Sequence, residues 1–446
     1  MNQTEKALSL VAEIGGKNGL NCIAELDLTA ADQARALEAS DDGNLPLRGV
    51  PVLVKDNIDV KGLHTTAGSL ALEDNLALSD APVVSNLRRN GAVILGKTNM
   101  TEFANYVTQD MPGGYSSRGG QVIHAVNPDL DVSGSSSGSA VAVAAGIVPM
   151  AVGTDTSHSV TACAMFNGIC GLKPPVGTLS AEGIIPIART LDSAGPMARN
   201  LSDTLKLYSA MRDEPLPELK PKEISQLRIA VNLANESVFS ADRKRFIRLL
   251  LERLKKTGAA VEDVIQMPPP ELVTIMRWEF RPMLEDYLAH ASASRKTLAE
   301  IVEHYESHPD TMMKYGDSYL RAALDETPGG LQGEPYLKAL EIRKETIIRV
   351  TAEIEKYDAV LMAGPTSVMH FCGLPSVTVA APIKTDAGVN QAVILYGTDE
   401  YRLYEAALAI EQEIYSVSSK KTVDHINNNF GQTDPGRKSC ERYQMN

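Results

Sequence analysis

Short apolar runs rich in β-branched residues punctuate this chain, and segments with helical spacing separate them. Residues 50–54 (VPVLV) lie between Gly49 and Lys55-Asp56-Asn57 and read as a buried strand. Ser79 as an N-cap, Pro82 in the first turn and Gly91 as a stop bound a helix, after which residues 92–95 (AVIL) read as a second strand. Strand, helix, strand is the repeating unit of a mostly parallel sheet. The unit recurs at 227–231, a helix capped by Ser240 and running to Lys256, and a strand over 260–264 after Gly258. Further short strands are predicted at 147–152, 357–362, 375–380 and 391–395, with a closing helix over 399–414. Helical spacing marks residues 4–14 and 20–40, and 267–340 reads as mainly helical with breaks at Pro268-Pro-Pro270 and Pro328-Gly-Gly330. The proline-rich, charged stretch 213–223 is the best linker candidate, and the polar tail 416–446 is expected to be loosely ordered.

Composition narrows the function. Of 446 residues, 43% are hydrophobic and 22% charged, which supplies ample apolar surface for a folded α/β domain. The net charge is −13, no run of five basic residues occurs and aromatics are 5%, so nucleic-acid binding is not expected. Five scattered cysteines without a CxxC pair point to free thiols in a reducing compartment, and away from a thiolate metal site. The opening residues MNQTEKALSL lack the layout of a signal peptide. The small apolar run 140–153 contains Gly146 and Pro149 and is too short to span a bilayer. A cytoplasmic protein without membrane attachment is therefore expected.

The most unusual stretch is 133–139 (SGSSSGS), followed by an alanine-rich helical pattern and a strand. Between ordered elements, such a loop offers hydroxyls and backbone N–H groups at close range, beyond what a spacer requires. Residues 134–138 also match GxSxG, but a nucleophile elbow should follow a strand and here 127–131 (NPDLD) precedes it. No GK[ST] closes the run, so it is not a P-loop. His304 and His308 have the spacing of two metal ligands on one helix face, yet their charged flanks favour a solvated surface. Residues 153–159 (GTDTSHS) form a polar loop after a strand, whose consecutive N–H groups suit an oxyanion. Lys55 follows a strand that looks fully buried; it is either an ion-pair partner of Asp56 or Asp155 or a base with a lowered pKa.

Together these segments resemble the amidase signature family of serine hydrolases. The resemblance is carried by 47–57 (LRGVPVLVKDN), 91–99 (GAVILGKTN), 133–146, 152–159, 171–174 (GLKP), 183–186 (GIIP) and 191–199 (LDSAGPMAR). It extends from about residue 20 to 415 and is most specific over the 47–199 signature core. A looser likeness, through Glu279-Phe280, Tyr287-Leu-Ala, Lys296-Thr-Leu298 and His308, points to the branch of peptide amidases.

The resemblance implies a single α/β domain: one large mixed β-sheet covered by helices on both faces. It implies Lys55 as base, Ser135 as relay after a cis peptide bond, and Ser159 as nucleophile, with Ser136 and Asp155 supporting them. The backbone N–H groups of Thr156, Ser157, His158 and Ser159 would bind the oxyanion of an acyl-enzyme pathway, with neither metal nor cofactor. The partner would be a small-molecule or peptide amide, its selection assigned to 267–340 and the loop 109–121; a homodimer is compatible with this. Where relatives usually carry Gly-Gly before the nucleophile, this chain has Ser157-His158, and a positive φ would strain His158. That departure motivates a second reading, a catalytically impaired homologue with a binding or regulatory role. A third is a protein like the amide-transferring chain of a tRNA amidotransferase.

Overall fold

The computed structural model describes residues 2–40 and 43–417. Eleven strands form one sheet. In chain order they are β1 (Ile23–Leu26), β2 (Pro51–Lys55), β3 (Val93–Thr98), β4 (Met150–Asp155), β5 (Cys170–Lys173) and β6 (Ser193–Ala198). The second half adds β7 (Arg228–Asn232), β8 (Ala260–Val264), β9 (Ala359–Met362), β10 (Ser376–Lys384) and β11 (Asn390–Tyr396). Their spatial order is β1-β3-β2-β4-β6-β5-β10-β11-β9-β7-β8. The trios β3-β2-β4 and β9-β7-β8 are parallel, whereas the pairings from β4 through to β9 are antiparallel, as is that of edge strand β1 with β3. The sheet is thus mixed rather than mostly parallel.

Burial explains why inner strand runs such as 50–54 are apolar on every residue. In β2, Val52 and Val54 pack into one core while Leu53 enters the other, and β4 divides Met150 and Val152 from Ala151 in the same way. The period-2 alternation of a strand thereby feeds two buried faces, each covered by helices. Helix Leu201–Met211 sends Leu201, Leu205 and Leu207 to the first face; helix Ser137–Ala144 sends Ala140, Val141, Ala142 and Val143 to the second.

Several local expectations change. Residues 20–40 split into β1 and helix Ala30–Ala39, because β1 pairs with β3 instead of continuing as helix. The helix expected after Ser79 begins at Pro82 with Ala81 at the N-cap, since proline's fixed φ suits the first helical position. β5 and β6 were not expected. Segment 213–223 has no helix or strand, and Lys222 N donates to Glu405 O of helix Glu400–Val417. Most of the tail expected to be loose, 418–446, lies outside the described residues. Among the described residues, no helix is long and apolar enough to cross a membrane.

Candidate active site

Strand ends and one buried loop bring the candidate residues together. Lys55 terminates β2, between β3 and β4 in the sheet, and is fully buried. Its Nζ lies 2.7 Å from Ser135 Oγ, 2.8 Å from Thr154 Oγ1 and 3.3 Å from Thr154 O. Burial pushes the amine down to about 7, against the pull of Asp155 and the other acidic groups around it. Ser135 Oγ in turn lies 3.0 Å from Ser159 Oγ. The peptide from Gly134 to Ser135 is cis. The three side chains therefore form an unbroken line of contacts from the sheet to the turn after β4.

The loop carrying Ser135 is held from below. Ser136 Oγ donates to Thr154 O at 3.1 Å and accepts from Thr154 N at 3.2 Å, so this central serine of the GxSxG match is tied to β4. Gly138 passes so close to strand-edge backbone that a Cβ there would overlap Asn99 O and Cys22 O. Thr154, which the sequence reading did not single out, receives Lys55 and also Asn57 Nδ2 at 3.1 Å. Asp155 turns the chain into the next helix by accepting the amides of Val160 at 2.8 Å and Thr161 at 3.1 Å.

Beyond Asp155 the turn 156–159 lines a cavity of about 210 Å³. Thr156 is anchored from behind by Asp192, whose Oδ1 accepts its hydroxyl at 2.5 Å and whose carboxyl burial raises to about 7. His158 has φ +72°, the left-handed region that glycine enters freely and other residues rarely. One sequence expectation needs correction. The His158 amide does not face the cavity as an uncommitted donor: it donates to His370 Nε2 at 3.0 Å. His370 comes from the short helix Val368–Phe371, and no sequence signal announced its approach.

The cavity walls are largely apolar, with Met111, Met165, Phe166, Phe239, Met276 and Met362 among them. The stretch 109–121 contributes Gln109, Met111 and Gly113, and the 267–340 region contributes Leu272, Val273, Met276 and Tyr319. Phe239, Met362, Pro365 and Ile394 join from segments not assigned a substrate role in the sequence. Among the described residues no lysine or arginine lines it. His304 and His308 lie elsewhere, their rings 4.3 Å apart, with His304 Nδ1 2.8 Å from an Arg295 guanidinium nitrogen.

Comparison with known proteins gives the family. The family model described as Amidase matches residues 8–375. A probable amidase of Arabidopsis thaliana is 32% identical over 424 residues, covering 86% of this chain and 80% of that protein. A chain of the glutamyl-tRNA(Gln) amidotransferase from Sulfurisphaera tokodaii is 38% identical over 231 residues, 49% of this chain and 47% of the relative. The solved structure of native peptide amidase from Stenotrophomonas maltophilia superposes with a TM-score of 0.83 at 29% identity, covering 93% of this chain and 94% of that one. A model match over most of the length, a full-length relative and a shared fold lead to one conclusion: the chain belongs to the amidase family, hydrolases of amide carbon–nitrogen bonds.

Proposed function

We propose that Ser159 is the nucleophile of this amidase, that Lys55 is its base, and that Ser135 relays the proton between them. The observation that carries this reading is the contact line of 2.7 and 3.0 Å ending in a buried amine with a pKa of about 7. A neutral amine has two N–H groups and one lone pair. The two Thr154 oxygens take the N–H groups, so the lone pair is left to accept from Ser135 Oγ–H. For the relay to run, the resting bond in which Ser135 Oγ donates to Ser159 Oγ at 3.0 Å reverses, the two hydroxyls turning so that Ser159 Oγ–H points at Ser135 Oγ. As Ser159 Oγ bonds to the carboxamide carbon, its proton moves to Ser135, and that of Ser135 moves to Lys55.

The carbonyl electron pair moves onto oxygen, opposite the backbone amides of Thr156, Ser157 and Ser159. Each well-aimed donor there contributes about 3 kcal/mol to the transition state. Collapse restores the carbonyl and breaks the C–N bond, while Lys55 returns its proton through Ser135 to the departing nitrogen. Ammonia or an amine leaves. Water then attacks the acyl-serine by the same relay, releasing the carboxylic acid and regenerating Ser159.

The methionine- and phenylalanine-rich wall supports carboxamides with an apolar or aryl acyl group, of which phenylacetamide is a simple probe. Free glutamine would bring a carboxylate to a cavity with no described lysine or arginine, which disfavours the amidotransferase reading. The committed His158 amide favours the impaired-homologue reading as the runner-up. Four described cysteines, all buried and free, support a reducing, cytoplasmic setting. Labelling with a serine-directed fluorophosphonate, mapped by peptide mass, separates these readings. Modification of Ser159 together with ammonia release from phenylacetamide is expected. A protein that neither reacts at Ser159 nor releases ammonia from any apolar amide contradicts the proposal.

A further inference from the structure

His370 is fully buried, and its Nε2 sits 3.0 Å from the His158 amide nitrogen and 3.1 Å from Asp155 Oδ1. A backbone N–H can only donate and a carboxylate can only accept. One ring nitrogen cannot satisfy both. With its lone pair on the amide, Nε2 has no proton for Asp155, and the ring proton sits on Nδ1. Three buried atoms of this cluster accordingly lack a hydrogen-bond partner: Asp155 Oδ1, His370 Nδ1 and His158 Nε2. The two rings lie 4.1 Å apart, centroid to centroid. Burial lowers both histidines, His158 to about 3, so both are neutral near pH 7 and the acceptor lone pair is available.

Unpartnered buried polar groups are costly, and a non-glycine residue at φ +72° adds to that cost. Both burdens fall on the residue before the proposed nucleophile. We propose that His370 is a positioning residue for amide hydrolysis: its Nε2 clamps the His158 amide and so fixes the left-handed turn that aims Ser159 at the substrate carbonyl. The inference rests on the assignment of Ser159 above. Where glycine would adopt this turn unaided, histidine at 158 is held in it by an acceptor from a distant segment, and the two imidazoles act as one unit.

Two substitutions separate positioning from mere packing. His370→Phe fills the space but offers no acceptor. His370→Gln offers Oε1 to the His158 amide and, at the same time, an N–H to Asp155 Oδ1. Each variant is titrated with fluorophosphonate to count reactive Ser159, and kcat and KM are measured on phenylacetamide per reactive site. His370→Phe is expected to lower kcat by about 10- to 100-fold with KM within twofold, and His370→Gln to recover kcat to within about fivefold of the parent. In a His158→Gly background, where the turn needs no clamp, adding His370→Phe should lower kcat by less than threefold. This comparison retains its force if His370→Phe alone folds poorly. A His370→Phe enzyme with parental kcat per reactive site, or a His370→Gln enzyme as slow as His370→Phe, overturns the inference. A parent that is not labelled at Ser159 overturns the nucleophile assignment beneath it instead.

Discussion

Thr154→Val tests how the proposed base is aimed. Valine keeps the β-branched shape on β4 and removes one oxygen, the Oγ1 that accepts from Lys55 Nζ at 2.8 Å and Asn57 Nδ2 at 3.1 Å. Asn57 retains the Ile185 carbonyl at 3.1 Å, so its loss is partly covered, whereas of its two acceptors on Thr154 Lys55 keeps only the more distant, Thr154 O at 3.3 Å. A buried donor left without its acceptor costs about 1–3 kcal/mol. The amine is then free to rotate, and its lone pair is no longer confined to the direction of Ser135. If about 1–2 kcal/mol of that appears in the transition state, kcat/KM falls by about 5- to 30-fold. Thr154 does not line the main cavity, so KM should hold.

The pH dependence shifts as well. Thr154 Oγ1 favours the protonated amine, so without it the Lys55 pKa moves below its value of about 7 and the acid limb of kcat moves to lower pH. Ammonia release from phenylacetamide, followed from roughly pH 5 to 9, reports all three quantities. An unchanged kcat/KM, or a loss appearing wholly in KM, refutes this role for Thr154.

Three further outcomes are expected. Gly138→Ala places a methyl group against Asn99 O and Cys22 O, both backbone atoms, and should lower stability by about 3 kcal/mol in urea unfolding. Met276→Asp puts a charge on the apolar cavity wall; it should raise KM for phenylacetamide by about tenfold or more while fluorophosphonate still labels Ser159. Ser240→Ala removes the side chain that accepts from Arg243 N at the start of helix Ala241–Lys256, costing about 1 kcal/mol of stability with kcat unchanged.

How far the sequence reaches depends on whether a feature is local. A run such as 50–54 announces a strand because β-branched residues fill both faces of a doubly covered sheet, whereas 260–264 (AVEDV) is a largely exposed edge strand marked by Gly258 before it and by its valines. β6, with the sequence SAGPMA, carries no such signal; its neighbours on both sides dictate its conformation through pairing. β1 is half-buried along its whole length and short, so its helix-like spacing misleads until β3 supplies a partner. At the site, Lys55, Ser135 and Ser159 stand out through composition and resemblance, and the fold brings their side chains into contact. His370 does not stand out: its meeting with His158 spans 212 positions and has no local pattern. Thr154 and Asp192 escape notice for the same reason, since a threonine in a strand and an aspartate before one look ordinary without their partners.

The rate of fluorophosphonate reaction at Ser159, measured against pH, tests the proton relay most directly, because it isolates the nucleophile from substrate choice. With Lys55 titrating near 7, the parent rate should rise through that pH as the amine loses its proton and then level off. Lys55→Met and Ser135→Ala should each react at least a hundredfold more slowly, with that rise abolished. A parent profile flat across neutral pH, or Lys55→Met retaining both the rate and the inflection, would contradict the relay from Ser159 through Ser135 to Lys55.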